Sequence, residues 1–431
     1  MNIAILGFGL EGRAAYDYWG TSHSITVCDQ NPDLEVPAGV ASQLGDDYLS
    51  NLGAFDLVVR SPQIHPKLLT DVAPTNITSV VCEFIRVCPS RNILAVTGTK
   101  GKGTTSTLIA ELLRAAGKTV HLGGNIGIPA LEMLREDIKT DDYIVLELSN
   151  FQLIDLKQSP HIAICLMVVP EHLDWHTDLD EYITAKQQLF AYQTDNDIAI
   201  YYPANENSIR ITEQSAARKI PYSQSPGACV EHGVITISGQ QLCDVTELKL
   251  LGEHNWQNVC AAVTAVWQVA QDVSAFRRVL TTFKGLPHRI ELVRKLNNVR
   301  YYNDSFATGL GATEAAISAV PGPKVTVLGG YDRMLSLEGF SAFAAAHETE
   351  FRVALLIGAS AQRLSESLLA AGFTNFIVRS DIDTMVQIVA AASECALAGD
   401  AIVFSPGFAS FDMFKNFEDR GNQFRDIVNS L

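Results

Sequence analysis

Short apolar runs organise residues 1–88: Ile3-Ala-Ile-Leu6, Ile25-Thr-Val-Cys28 and Asp56-Leu-Val-Val59 alternate with polar and helical stretches. That rhythm predicts a parallel sheet covered by helices. Cys88-Pro-Ser-Arg91 reads as a linker. Beyond it, Asn92-Ile-Leu-Ala-Val96 predicts a strand, Thr97–Ser106 a glycine-bearing turn and Leu108–Arg114 a helix. Two more strands are expected at Tyr143–Glu147 and Ile162–Val169, each followed by polar residues at the end where open α/β sheets present their chemistry. The pattern breaks around Gly285-Leu-Pro-His288. It resumes with strands at Val325–Gly330, Ala354–Gly358, Asn375–Val378 and Ala401–Pro406, several closed by glycine or proline turns and separated by helical stretches. The chain therefore divides into three α/β segments, 1–88, 89–287 and 288–431, the last another doubly wound unit.

Composition supports this division. A length of 431 residues leaves room for about three domains at ~150 residues each, and 47% hydrophobic content supplies a core for each. The charge of −16, from 32 basic and 48 acidic residues, repels nucleic acid and anionic lipid, so small molecules are the expected partners. Eight cysteines lie scattered without a C-x-x-C pair, which suits reduced, buried thiols in a cytoplasmic protein. The first residues carry no basic leader, and no stretch approaches ~18 uninterrupted apolar residues.

Two stretches carry phosphate chemistry. Gly7-Phe-Gly-Leu-Glu-Gly12 follows a strand and opens a helix, and Asp29 ends the next strand. This spacing meets the dinucleotide fingerprint, although the turn would seat any nucleotide diphosphate. The second stretch is Thr97-Gly-Thr-Lys-Gly-Lys-Gly-Thr-Thr105. It departs from the strict phosphate-loop spelling at Val96 and Gly103. Even so, Gly98, Gly101 and Gly103 free the backbone to wrap phosphate oxygens, Lys102 adds a point charge, and Thr104 or Thr105 offers a hydroxyl to Mg2+. Glu147 at one strand end and His172 beyond the next could share a metal with this loop, though Mg2+ prefers oxygen. On their own, His172, Asp174 and His176 read as capping and loop residues, and Lys186 as a helix lysine.

Taken in order and spacing, the glycine loop, Gly124-Asn-Ile-Gly127, Glu147-Leu-Ser149, Glu171-His172, Ala185-Lys186, Gly252-Glu-His-Asn-x-x-Asn258, Gly285-Leu-Pro-His-Arg289, Asn303-Asp-Ser305 and Ser405–Asp412 resemble the Mur ligases over essentially the whole chain. The tail Ser410–Phe424 resembles the members that add D-glutamate. This resemblance implies a Rossmann-like N-terminal domain for the UDP substrate, a central P-loop ATPase domain and a Rossmann-like C-terminal domain for the amino acid. It implies a cytoplasmic ligase of peptidoglycan precursor synthesis, expected as a monomer, that joins glutamate to UDP-N-acetylmuramoyl-L-alanine through an acyl phosphate.

The resemblance also distributes roles. Gly98, Thr99, Lys100, Gly101, Lys102, Gly103, Thr104, Thr105, Asn258, Arg289 and Asp304 would hold ATP. Gly9, Leu10, Glu11, Asp29, Ser61, Asn125 and Ser149 would hold the UDP substrate, with Arg60-Ser-Pro62 lining the same pocket. Two Mg2+ sites are implied, one on Thr104 and Glu147 and one on His172 and a carbamylated Lys186. Lys102, Lys186, His172 and Glu147 form the catalytic set. A lysine whose amine is partly neutral through desolvation can trap CO2 and become a carboxylate ligand.

Departures gather around the expected amino-acid pocket of Thr308, Arg333, Ser410 and Phe417. Phe306 and Gly309 stand where D-glutamate-adding members usually carry lysine and asparagine, and Arg333 replaces a lysine. A guanidinium grips a carboxylate in two-point fashion, so an acidic amino acid is expected, with D- and L-glutamate both open. Phe411, Phe414 and Phe417 recur every three residues, which predicts core packing, with Phe417 also available to ligand. Lys100 and the Lys-Gly-Thr-Thr spelling approach folylpolyglutamate synthases, but the tail and first domain do not. An NAD-dependent oxidoreductase would leave the central loop without work, and a non-catalytic nucleotide binder would release no phosphate.

Overall fold

The computed structural model describes residues 1–431. By their contacts these form two compact units, residues 1–247 with 256–281, and residues 248–255 with 282–431. The first unit holds two parallel sheets. Its N-terminal sheet runs Ala41–Leu44, Ser24–Asp29, Asn2–Leu6, Leu57–Arg60, Ile77–Thr78. The central sheet runs Arg218–Pro221, Ile198–Tyr201, Ile162–Cys165, Ile93–Thr97, Tyr143–Glu147, Val120–Gly124. In both, the strand that feeds a glycine turn, Asn2–Leu6 or Ile93–Thr97, has neighbours formed later in the chain on either side. This is the switch point where ligands bind across open α/β sheets. Every residue of Ile93–Thr97 is buried, because helices cover both faces of a parallel sheet.

A three-stranded antiparallel sheet, Cys229–Glu231, Val234–Ile237 and Gln240–Asp244, completes the first unit. The second unit has one sheet in the order Glu291–Leu296, Val299–Asn303, Ala401–Phe404, Lys324–Gly329, Phe351–Ile357, Phe376–Val378, antiparallel only in its first pair. The architecture is three α/β domains, Rossmann-like at either end. All eight cysteines are free, six of them buried, and no helix is long and apolar enough to cross a membrane.

Two sequence expectations need correction. The strand expected over Ile162–Val169 stops at Cys165, because the chain beyond it braces the glycine loop instead: Met167 O accepts the Thr99 N–H at 2.9 Å, and the Val169 N–H donates to Thr99 Oγ1 at 3.0 Å. Nor do Phe411, Phe414 and Phe417 form a core stripe. The helix begins only at Phe417, so period-three spacing before it has no common face. Phe414 packs into the core while Phe411 is 63% exposed.

Candidate active site

The strand Ile93–Thr97 hands the chain to a turn in which Gly98 and Gly101 take φ of +149° and +88°, a region that L side chains avoid. Space is as demanding as dihedral angle. A Cβ at Gly98 would stand 2.7 Å from Leu166 Cβ, and one at Gly101 would collide with Asn258 Oδ1. The helix Lys102–Ala115 starts immediately after, so its first-turn amides and dipole end face the turn. Lys102 Nζ folds back over this concavity, donating to the carbonyls of Gly98 (3.1 Å) and Thr99 (3.0 Å). Thr105 Oγ1 reaches Asn258 Oδ1 at 3.4 Å, which brings Asn258 from the helix Glu253–Trp267 against the loop. Thr104 and Thr105 are buried beside it and Lys100 is exposed. Thr99 points inward, its hydroxyl sharing a contact with Tyr182 Oη (3.0 Å) and donating to Val169 O (3.0 Å).

Lys186 lies fully buried on the helix Leu179–Gln187 and donates to Gly98 O at 3.2 Å, with its Nζ 4.6 Å from the Tyr182 ring centre. Burial, then the neighbouring Lys102 charge, lower its pKa from 10.5 to about 7. A fully buried ammonium with no carboxylate partner is costly, and deprotonation relieves the cost. Glu147 closes its strand one position along the sheet, in register with Val96. Its Oε1 accepts from Asn125 Nδ2 at 2.8 Å and its carbonyl from the Asn125 N–H. His172 has φ of +58° and is exposed, its ring 4.8 Å from that of Phe151.

In the N-terminal domain, Gly7 (φ +78°) and Gly9 bring the chain into the helix Leu10–Trp19, and Gly12 leaves no room for a Cβ against Gly7 O. Asp29 braces this turn by accepting the Phe8 N–H (2.8 Å) and the Asn31 N–H (2.9 Å). Ser61 Oγ donates to Gly7 O (3.1 Å), and Leu10 is 78% exposed. Glu11 Oε1 accepts from Gln152 Nε2 at 2.6 Å while Oε2 is buried without a partner; burial pushes the Glu11 pKa up to about 7. Gln152 Oε1 in turn accepts from Ser149 Oγ and N–H, a capping box for the short helix Asn150–Leu153. One expectation is overturned. Arg60 lines no pocket: it is completely buried, forked onto Asp155 at 2.7 and 2.9 Å and donating to the carbonyls of Ser61, Pro62, Ile64 and Phe151.

The second unit carries a cavity of about 230 Å3 whose lining includes Thr308, Arg333, Leu335, Gly407 and Phe408. Arg333 is exposed at its mouth. Its neighbour Asp332 is held by Arg363 through two contacts of 2.6 Å, so that carboxylate is already neutralised within the protein. Ser410 is buried next to the lining residue Ala409. Phe306 lies between the Arg289 guanidinium, 3.6 Å from its ring centre, and the edge of Phe417 at 5.0 Å. Asp304 is interior, accepting from Ser405 Oγ (2.6 Å) and the Ile290 N–H (3.0 Å); burial pushes its pKa up to about 7.

Residues 96–266 match the family model described as Mur ligase middle domain. Across its whole length the chain is 34% identical to UDP-N-acetylmuramoylalanine--D-glutamate ligase of Clostridium tetani, covering 96% of that protein. The chain belongs to the Mur ligase family. The Clostridium kluyveri enzyme of the same name is 35% identical, again over the whole chain and 96% of the relative. Among solved structures, MurF from Acinetobacter baumannii matches 94% of the chain and 85% of its own, with a TM-score of 0.65 at 15% identity, a likeness of fold.

Within this Mur ligase the structure gathers Gly98–Thr105, Lys186, Asn258 and, along the sheet edge, Glu147 with Asn125. Glu11 and Ser149 meet through Gln152. Thr308 and Arg333 share a cavity, whereas no contact joins His172 to the loop. Sequence reasoning missed His65 and Glu181, which with His176 form a group of two buried imidazoles and a partly buried carboxylate. Burial, outweighing the pull of Glu181, lowers both imidazole pKa values, and Glu181 stays below its ordinary value despite burial because Thr177 and His65 bond to it. Only three-dimensional folding unites residues 65, 176 and 181, and spacing alone carried no signal.

Proposed function

We propose that this Mur ligase is an ATP-dependent ligase that adds glutamate, D-glutamate in the first instance, to UDP-N-acetylmuramoyl-L-alanine. The observation carrying this reading is the convergence of a glycine cradle, Lys102 and the buried, low-pKa Lys186 on one carbonyl, Gly98 O. In the proposed reaction the alanyl carboxylate attacks the γ-phosphorus of ATP, ADP departs, and an acyl phosphate forms. The glutamate amine then adds to its carbonyl carbon, and phosphate leaves as the tetrahedral intermediate collapses. Such chemistry needs positioning and charge neutralisation above all. The loop amides and Lys102 would hold the phosphates, and Asn258 would sit beside the nucleotide.

Glu147 and Thr104 offer the hard oxygen donors that Mg2+ takes, and the ion would neutralise phosphate charge when bound. As an ammonium, Lys186 would repel a cation. Its lowered pKa leaves amine available to add CO2 with loss of one proton, and the resulting carbamate would join His172 as a ligand. The Gly7–Gly12 turn with Ser61 would seat the UDP diphosphate, and Arg333 with Thr308 the amino acid. Support for D-glutamate comes from the names of the curated relatives, and support for an acidic side chain from Arg333 beside an already paired Asp332.

The test is phosphate release with UDP-N-acetylmuramoyl-L-alanine, ATP and Mg2+, run with D-glutamate, L-glutamate and aspartate in parallel. D-Glutamate should give the highest kcat/KM. Preference for L-glutamate would change the stereochemical assignment, and product formation without ATP would end the ligase reading.

A further inference from the structure

His65, His176 and Glu181 take no part in the reaction as proposed, yet their placement is specific. Both imidazoles are buried, and His65 Nε2 and His176 Nδ1 face Glu181 Oε1 and Oε2 at 3.2 and 3.4 Å. The three donor groups lie within 4.8 Å of one another, the composition of a two-histidine, one-carboxylate metal centre. The remote ring nitrogens argue otherwise. His65 Nδ1 accepts the Lys67 backbone N–H at 3.1 Å, and a backbone amide cannot be reversed. The lone pair of that imidazole is therefore on Nδ1 and the hydrogen on Nε2, which leaves nothing to offer a cation. His176 Nε2 lies 2.8 Å from Asn150 Nδ2; with the Asn150 amide oriented this way it donates, which puts the His176 hydrogen on Nδ1. Two N–H groups thus face one carboxylate at 3.2 and 3.4 Å without the alignment of a full hydrogen bond, and neither nitrogen has a hydrogen-bond partner elsewhere.

We propose that His65, Glu181 and His176 form a metal-free clamp whose work is to position His172 and Lys186. The proposal rests on the ligase reading above. Glu181 and Lys186 share the helix Leu179–Gln187, so a fixed Glu181 fixes the approach of Lys186 to the loop. Glu181 Oε2 also accepts the Thr177 N–H at 2.7 Å, and the His176 N–H donates to His172 O at 3.0 Å. The turn carrying His172 is thereby bound to the same carboxylate. His65 adds a third segment. It follows the Arg60 anchor, its ring lies 4.3 Å from that of Trp175, and Trp175 Nε1 donates to Gln63 O at 3.0 Å. Small errors in placing reacting groups are expensive in rate, with an offset of about 1 Å costing on the order of 10²-fold.

Two arms test the clamp. In full-length protein labelled with 15N-histidine, two-bond correlations should report His65 as the Nε2–H tautomer and His176 as the Nδ1–H tautomer, unchanged by added Zn2+. The opposite tautomers, or stoichiometric Zn2+ binding lost in Glu181→Gln, would overturn the proposal. This arm needs no activity, so a protein without ATP-dependent turnover would refute the ligase reading while leaving the clamp geometry separately decided. In the kinetic arm, His65→Leu and His176→Leu should each lower kcat about tenfold or more, with KM for ATP within about twofold. His65→Gln and His176→Asn, whose amides can present an N–H to Glu181, should recover most of the loss. Unchanged kcat in the leucine variants, or no recovery in the amides, defeats the positioning role. Should the leucine variants fail to fold, Glu181→Gln replaces them and is expected to show the same kcat loss at unchanged KM for ATP.

Discussion

Replacing Lys186 by methionine should make the protein more stable and catalytically dead. The side chain is fully buried, and its pKa falls from 10.5 to about 7. At ~1.4 kcal/mol per tenfold change in proton affinity, the protonated form is roughly 5 kcal/mol less favourable in the fold than in the unfolded chain. Methionine has similar length and no charge, so it removes that penalty; imperfect packing reduces the gain to about 1–4 kcal/mol below neutral pH. The sign of the pH dependence follows. Between about pH 7 and 10.5 the unfolded chain holds a proton that the folded chain has released, so wild-type stability rises with pH there while the variant's does not. The advantage of Lys186→Met should therefore be greatest below pH 7 and shrink towards pH 10. Urea unfolding followed by tryptophan fluorescence, in metal-free and CO2-free buffer at pH 6.5, 8 and 9.5, measures it. A variant less stable than wild type at pH 6.5, or a difference indifferent to pH, would refute the desolvation argument. Phosphate release should be lost in the same variant, and in Lys186→Ala a short carboxylic acid should restore part of it.

Gly101→Ala should weaken ATP binding more than tenfold by calorimetry with the fold intact: a residue at φ +88° costs about 1–2 kcal/mol, and its methyl group would strike Asn258 Oδ1. Equal affinity would remove the cradle from the argument. Arg60→Met should destabilise by about 3–5 kcal/mol, because it strands Asp155 in a largely buried site, and adding Asp155→Leu should recover much of that in urea titrations. At His121, burial opposes the charged ring, but contacts to Glu136 (2.6 Å) and Asp142 (3.0 Å) outweigh it and raise the pKa above 6.5. Its stabilisation should be complete below pH 6.5 and vanish as pH climbs through the folded value, so the stability gap between wild type and His121→Gln should close in that direction.

Periodicity made the parallel strands legible because burial on both faces leaves runs such as Ile93–Val96 uniformly apolar. The glycine turns were legible for a related reason, since Gly101 and Gly12 mark backbone approaches no other residue tolerates. The antiparallel sheet at 229–244 was not, its strands being short and the outer two, Cys229–Glu231 and Gln240–Asp244, carrying polar residues. Arg60 was placed in the UDP pocket by resemblance alone, and only the fold brings Asp155 to it from 95 positions away. The Phe411–Phe417 pattern misled through its assumption of a helix six residues before one begins.

The loop spelling can be understood from where its side chains point. In the strict phosphate loop a hydroxyl follows the lysine, and here Gly103 stands in that place. Thr99 cannot substitute, because its hydroxyl is committed inward to Val169 O and Tyr182 Oη. Thr104 is the next hydroxyl along the helix N-terminus and is buried against the loop, with the dipole end of the first turn around it. The inward commitment of Thr99 joins the loop to Tyr182, on the same helix as Lys186 and Glu181. Lys102 and Lys186 both donate to Gly98 O, Lys102 also to Thr99 O, and the Thr99 hydroxyl meets Tyr182. A shift of the helix Leu179–Gln187 would therefore move the amine and the loop together. This coupling explains why an unusual loop sequence can coexist with an exacting site: its geometry is set by the helix it leans on as much as by its own glycines.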